Sequence, residues 1–143
     1  MTSLHHVSLP VRDLDRSHRF YRKVIGLAER QRPEFAFPGA WFAMEDRQMH
    51  LIVNPKANFR TRPVIDALDI HHAYRIADFE QMLARLESHG YRPHQPKGYD
   101  DENHADERMH VAVYRSSPAG FLQAFLLDPD WHFVELNTAP FPQ

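Results

Sequence analysis

An internal repeat constrains this chain more than any other feature. HHVSLPVRD near the start and HHAYRIAD past the middle match position for position: His6 falls on His71, Ser8 on Ala73, Val11 on Ile76 and Asp13 on Asp78. Each copy alternates apolar and polar residues, Val7, Leu9 and Val11 in one and Ile70, His72, Tyr74 and Ile76 in the other, which predicts a strand. Each then meets an aspartate suited to cap a helix and an apolar series at helical spacing, with Gly26 or Gly90 near the helix end. Strand-forming segments follow at 27–30, 40–44 and 49–53, and again at 91–94, 121–127 and 131–137. Both halves therefore read as a βαβββ unit, a duplication. The expected organisation is a single α+β domain over 1–143, with module 1 at about 4–55 and module 2 at about 69–138. An insertion at about 96–120 interrupts the second module; its GYDDENHADE run reads as loop and its MHVAVYR as a candidate added strand.

Composition narrows the chemistry. A formal net charge of -2, from 17 basic and 19 acidic side chains that interleave, offers no field of one sign to nucleic acid or an anionic membrane. Apolar runs fall far short of a membrane span, and MTSLHHV lacks a secretory pattern, so the expectation is a cytoplasmic protein with a small-molecule substrate. The absence of cysteine removes disulfides, thiolate ligands and a cysteine nucleophile, so any metal must use nitrogen and oxygen. Eleven histidines supply the nitrogen. Phosphate loops ending in Lys-Ser/Thr, GxSxG elbows and HExxH helices are missing.

Strand parity selects four residues. His6 opposes Val7 and Leu9, His50 opposes Met49 and Leu51, His71 opposes Ile70 and His72, and Glu135 opposes Val134 and Leu136, so all four sit off the helix-packed face. A lone strand histidine is ordinarily hydrogen-bonded or half exposed. Here His6 and His71 hold the same place in two repeats, while His50 and Glu135 each lie on the last strand of a half. This points to one divalent metal ion bound by His6, His50, His71 and Glu135. Repeat matching leaves His72 as a core histidine among Ile70, Tyr74 and Ile76, and puts His5 on the side of Val7.

With HVSLPVRDLDRSHRFYRKVIGL, the MHLIV strand, HHAYRIADFE and DPDWHFVELN, the chain resembles the vicinal oxygen chelate superfamily: glyoxalases, bleomycin and fosfomycin resistance proteins and extradiol dioxygenases. The resemblance runs from Leu4 to Asn137, the insertion excepted. It implies paired modules forming a cupped mixed sheet around the metal, helices on the outer face, and a homodimer in which modules pair within a chain or swap between chains. It also implies the same ligand set. Three departures stand out: His50 where bacterial-type glyoxalase I usually has glutamate, Pro10 where it has arginine, and Trp131 in place of the glycine usual after Asp-Pro-Asp. The first two count against glutathione-adduct binding.

Three imidazoles and a carboxylate suit Zn, Ni, Co, Fe or Mn. Two open positions on an octahedral ion would chelate neighbouring substrate oxygens and stabilise an enediolate, which is lyase or isomerase chemistry with Glu135 as ligand and base. His104, His110 and Tyr114 are the other candidates for moving the proton, each more ordinary as a loop or strand residue. One competing reading is an Fe(II) extradiol-type dioxygenase, which a ligating His50 would crowd. Another is a non-catalytic drug- or aromatic-ligand binding protein using Phe35, Phe37, Trp41 and Trp131, residues more commonly core. Asp128-Pro129-Asp130 reads as a turn.

Overall fold

The computed structural model describes residues 1–98 and 106–142 and divides into two compact units, Met1–Phe59 and Arg60–Gln143. Most of the acidic stretch of the insertion, with His104, lies outside the described residues.

In the first unit the LHHVSLPV alternation becomes β1 (His6–Val11), burying Leu9 and Val11. Asp13 caps α1 (Leu14–Arg19), its carboxylate accepting from the Arg16 N–H at 3.0 Å. The helical path widens into π-type turns over Phe20–Ile25, with the Gly26 N–H donating to the Tyr21 carbonyl five residues back. Gly26 then takes φ 92°, which ends the helix before Leu27. Strands β2 (Ala28–Arg30), β3 (Gly39–Met44) and β4 (Arg47–Val53) complete a sheet in the order β1-β4-β3-β2, with β1 parallel to β4.

The second unit repeats this plan: β5 (His72–Arg75), α2 (Phe79–Ser88), β6 (Arg92–His94), β7 (His110–Tyr114), β8 (Gln123–Leu127) and β9 (Phe133–Asn137), ordered β5-β9-β8-β7-β6. Asp78 caps α2 as Asp13 caps α1, accepting from the Gln81 N–H at 2.9 Å, and Phe79, Met82, Leu83 and Leu86 turn inward. The duplication thus extends to caps and sheet order, giving an α+β fold of two mixed sheets.

Two sequence readings need revision. Strand β5 is shorter than the alternation suggests: Asp69 closes a turn, its carboxylate accepting from the Ile70 N–H at 2.7 Å. Ile70 is consequently 85% exposed and does not share a core with His72. The place that β2 holds beside β3 belongs in the second sheet to β7, the MHVAVYR segment, antiparallel to β8. The 91–94 segment is the added strand, lying parallel to β7 at the sheet edge.

Asp128 to Asp130 form a turn as read. One Asp128 carboxylate oxygen accepts from the N–H groups of Asp130 and His132, at 2.8 and 2.9 Å. Trp131 there has φ 68°, the left-handed region, which explains why glycine suits this position. Its indole packs against the buried Phe125 and Phe133 cluster. No helix among the described residues is long and apolar enough to cross a membrane.

Candidate metal centre

Strand register places the four residues in matching pairs. In the parallel β1–β4 pair Ser8 lies opposite His50, and in the parallel β5–β9 pair Ala73 lies opposite Glu135. Ser8 and Ala73 are repeat partners, so His50 and Glu135 are equivalent positions.

In the first unit His50 is sandwiched. Trp41, its cross-strand neighbour on β3, stacks on one face at 4.2 Å between ring centroids, and His6 stacks at 4.4 Å. Burial pushes the His50 imidazole below the usual histidine value, and His6, His5, Arg32 and Arg30 push it the same way, so the ring favours its neutral, ligating form. His50 Nε2 lies 2.9 Å from Gln48 Oε1, and His6 Nδ1 lies 2.9 Å from His5 Nδ1. With Nδ1 so engaged, Nε2 is the His6 atom left to ligate. Phe35 and Phe37 stack at 5.2 Å and Phe35 meets Trp41 at 6.0 Å, extending a row of rings from an exposed loop to His6. The His6 and His50 planes are 14° from parallel, so a single ion in both ring planes requires one imidazole to turn.

In the second unit His71 and Glu135 meet directly. His71 Nδ1 lies 2.8 Å from the Asp69 carbonyl, which can only accept, so Nδ1 carries a hydrogen. Nε2 then faces Glu135 Oε2 at 3.1 Å. A neutral ring would aim its lone pair at a carboxylate oxygen, an arrangement that a proton or a cation between the two atoms relieves. A backbone carbonyl fixing the far nitrogen is also what metal-ligating histidines commonly have. Glu135 is 6% exposed, and its Oε1 accepts from Gln123 Nε2 at 2.9 Å and from Asn137 Nδ2 at 3.0 Å. Both amides hold Oε1 and leave Oε2 for the ligand. The donor set therefore fits a divalent ion.

The floor of this face is aromatic. Phe125, opposite Glu135 across the β8–β9 pair, stacks on Phe133 at 5.5 Å, and the His71 ring stands edge-on to both. Tyr114 donates to the Gly98 carbonyl at 3.2 Å, and His110 lies toward the opposite sheet edge. Gln48, Gln123, Asn137 and Asp69 were not singled out from the sequence. Gln48 and Asn137 stand two residues from His50 and Glu135 on the same strands, so parity alone could have found them. Gln123 needed the β8–β9 register, and Asp69 the turn.

The Glyoxalase/Bleomycin resistance protein/Dioxygenase superfamily model matches residues 3–136. The chain belongs to this superfamily. A sequence similar to this superfamily member is Glyoxylase I 4 of Arabidopsis thaliana, 33% identical over 92 residues, which are 63% of this chain and 53% of that protein. The chain thus matches about half the length of this curated relative. Solved superfamily structures share the fold: a glyoxalase family protein from Bacillus anthracis has TM-score 0.69 at 18% identity, covering 96% of this chain and 94% of that one. The fosfomycin resistance protein FosX from Listeria monocytogenes, solved as a mutant in complex with Mn(II) and 1S,2S-dihydroxypropylphosphonic acid, has TM-score 0.68 at 14% identity, covering 99% and 95%. Lactoylglutathione lyase from Agrobacterium tumefaciens has TM-score 0.62 at 17% identity, covering 96% and 93%.

Proposed function

We propose that the chain is a divalent-metal-dependent lyase or isomerase acting on a small substrate with neighbouring oxygens, and that His6, His50, His71 and Glu135 together hold the ion. The observation that carries this reading is the His71–Glu135 contact, an imidazole lone-pair position and a carboxylate oxygen 3.1 Å apart with their outer atoms already committed. When bound, the ion would supply Lewis-acid polarisation of a chelating carbonyl and hydroxyl pair. Asp69 fixes the His71 tautomer, while Gln123 and Asn137 hold the Glu135 carboxylate through Oε1, so that Oε2, once substrate displaces it from the ion, would be free to take an α-proton. Phe125 and Phe133 give that proton transfer a dry floor. The FosX complex with Mn(II) supports a metal on this scaffold, and the homodimer that the family resemblance implies belongs to the same reading.

The experiment is solvent deuterium exchange into a panel of α-hydroxy ketones, with Ni(II), Zn(II), Mn(II) or Fe(II) supplied. The wild type should exchange the α-hydrogen, and Glu135→Gln should lower the rate by about 10²–10⁴-fold, the range for losing a general base. No exchange with any ion would contradict the reading.

One observation favours a second reading. His50 stacks between His6 and Trp41 with Nε2 near Gln48, which would leave His6, His71 and Glu135 as a two-histidine, one-carboxylate set of the kind that serves Fe(II) oxygenases. Oxygen uptake with a catechol and Fe(II), unaffected by His50→Ala, would support it.

A further inference from the structure

A second cluster of ligand-type side chains lies on the second sheet, away from Glu135. One ligand atom each from His94, Glu107 and His110 lies within 4.8 Å of the others. Three elements converge to place them. The β6–β7 pairing sets His94 opposite Ala112, so that His94 and His110, two residues before Ala112, point to the same face. Glu107 precedes β7, its carbonyl accepting from the His110 N–H at 3.0 Å. Ala112 lies opposite Phe125 and Phe125 opposite Glu135, so the cluster shares the face of Glu135 but stands two strands over at His110 and three at His94, more than about 10 Å away at ordinary strand spacing. One ion cannot serve both places.

From these positions the geometry points to a second divalent-cation site, of zinc type, made by His94, Glu107 and His110. The rings of His94 and His110 are 5.3 Å apart and inclined at 67°, so their planes intersect and one ion can lie in both, unlike the near-parallel His6 and His50 pair. Glu107 is 3% exposed, a carboxylate withdrawn from water beside two imidazoles, whereas adventitious acidic clusters are exposed. Around a tetrahedral ion about 2.1 Å from each ligand the three atoms would stand about 3.4 Å apart, so small side-chain rotations close the set. Two histidines and a carboxylate leave a fourth position for water.

The ion would also act on a neighbouring segment. Glu107 Oε2 accepts from the Ile65 N–H, and the Glu107 N–H donates to the Pro63 carbonyl at 2.7 Å. That segment lays Ile65 and Ala67 on the Phe125 and Phe133 cluster, so an ion on Glu107 would fasten a cover over the face that carries Glu135. This consequence for substrate access rests on the function proposed above; the site itself does not.

The test uses the full chain with His71→Ala and Glu135→Gln as parent, loaded with Zn(II), desalted and assayed for metal, with amide hydrogen exchange at Ile65 as a second readout. The parent should keep one Zn(II) per chain, and exchange at Ile65 should slow on loading. Adding Glu107→Gln, which keeps an acceptor for the Ile65 N–H, or His94→Gln, should cut retained Zn(II) at least tenfold and abolish the Zn(II) effect at Ile65. No Zn(II) in the parent, or equal Zn(II) with and without Glu107→Gln, would overturn the site. A wild type whose single Zn(II) is lost with His94→Gln but kept in the parent would support this site and count against the central one. The reverse pattern would sink this site alone.

Discussion

Adjacent imidazoles at 71 and 72 occupy opposite environments, and the difference is chemical as well as geometric. His71 is exposed, with one nitrogen on a backbone carbonyl and the other on a carboxylate. His72 packs edge-on to Tyr74, and burial drives its pKa down to about 4, with His132 and His71 adding to the fall. The unfolded chain would hold this proton at an ordinary histidine value near 6.5, so the unfolded state gains a proton first as pH drops. Stability from His72 is therefore fully present above about pH 6.5 and lost as pH falls toward 4, by on the order of 3 kcal/mol at most. Denaturant unfolding of metal-free protein from about pH 7 to about pH 4 should show a shallower acid loss in His72→Leu than in wild type; equal slopes would contradict this. Parity and repeat matching sufficed to separate the two histidines in the sequence, because a strand sends neighbours to opposite faces. They could not reveal that Asp69 fixes the His71 ring, since that depends on a turn whose geometry no periodicity encodes. Nor could they show that Trp131 takes a left-handed backbone, although a tryptophan where the family resemblance leads one to expect glycine was the visible signal.

At the scale of elements, capping and alternation were legible because each is a local rule: Asp13 and Asp78 each accept from the N–H three residues on. Sheet order was not, because it is settled by long-range competition. The 91–94 segment and the 110–114 segment both have strand character, and it is the second that gains the antiparallel partner β8. Close approach of strands is equally invisible to pattern. A Cβ built on Gly39 would collide with the Leu51 carbonyl oxygen, so β3 and β4 can lie as they do only because residue 39 has no side chain. Gly39→Ala should force the β3–β4 pair apart and cost about 1–3 kcal/mol in denaturant unfolding. An unchanged midpoint would mean the strands close without that contact. Since His50 and Trp41 lie on the same two strands, the substitution should also loosen their stacking.

For the whole molecule, duplication explains why the candidate ligands fall into two like pairs, one in each compact unit: His6 at the start of the first strand with last-strand His50, and His71 immediately before its first strand with last-strand Glu135. The repeat also makes plain where the units differ. One offers a stack of rings, the other an imidazole–carboxylate contact on an aromatic floor, and the function proposed above asks both to serve one ion. The most direct test counts metal in a Glu107→Gln background, so that only the central set is scored, after reconstitution with Ni(II) or Fe(II). The account predicts close to one equivalent, lost on adding His71→Ala, Glu135→Ala or His6→Ala and retained on adding His72→Leu. Equal metal in all of these proteins would contradict it.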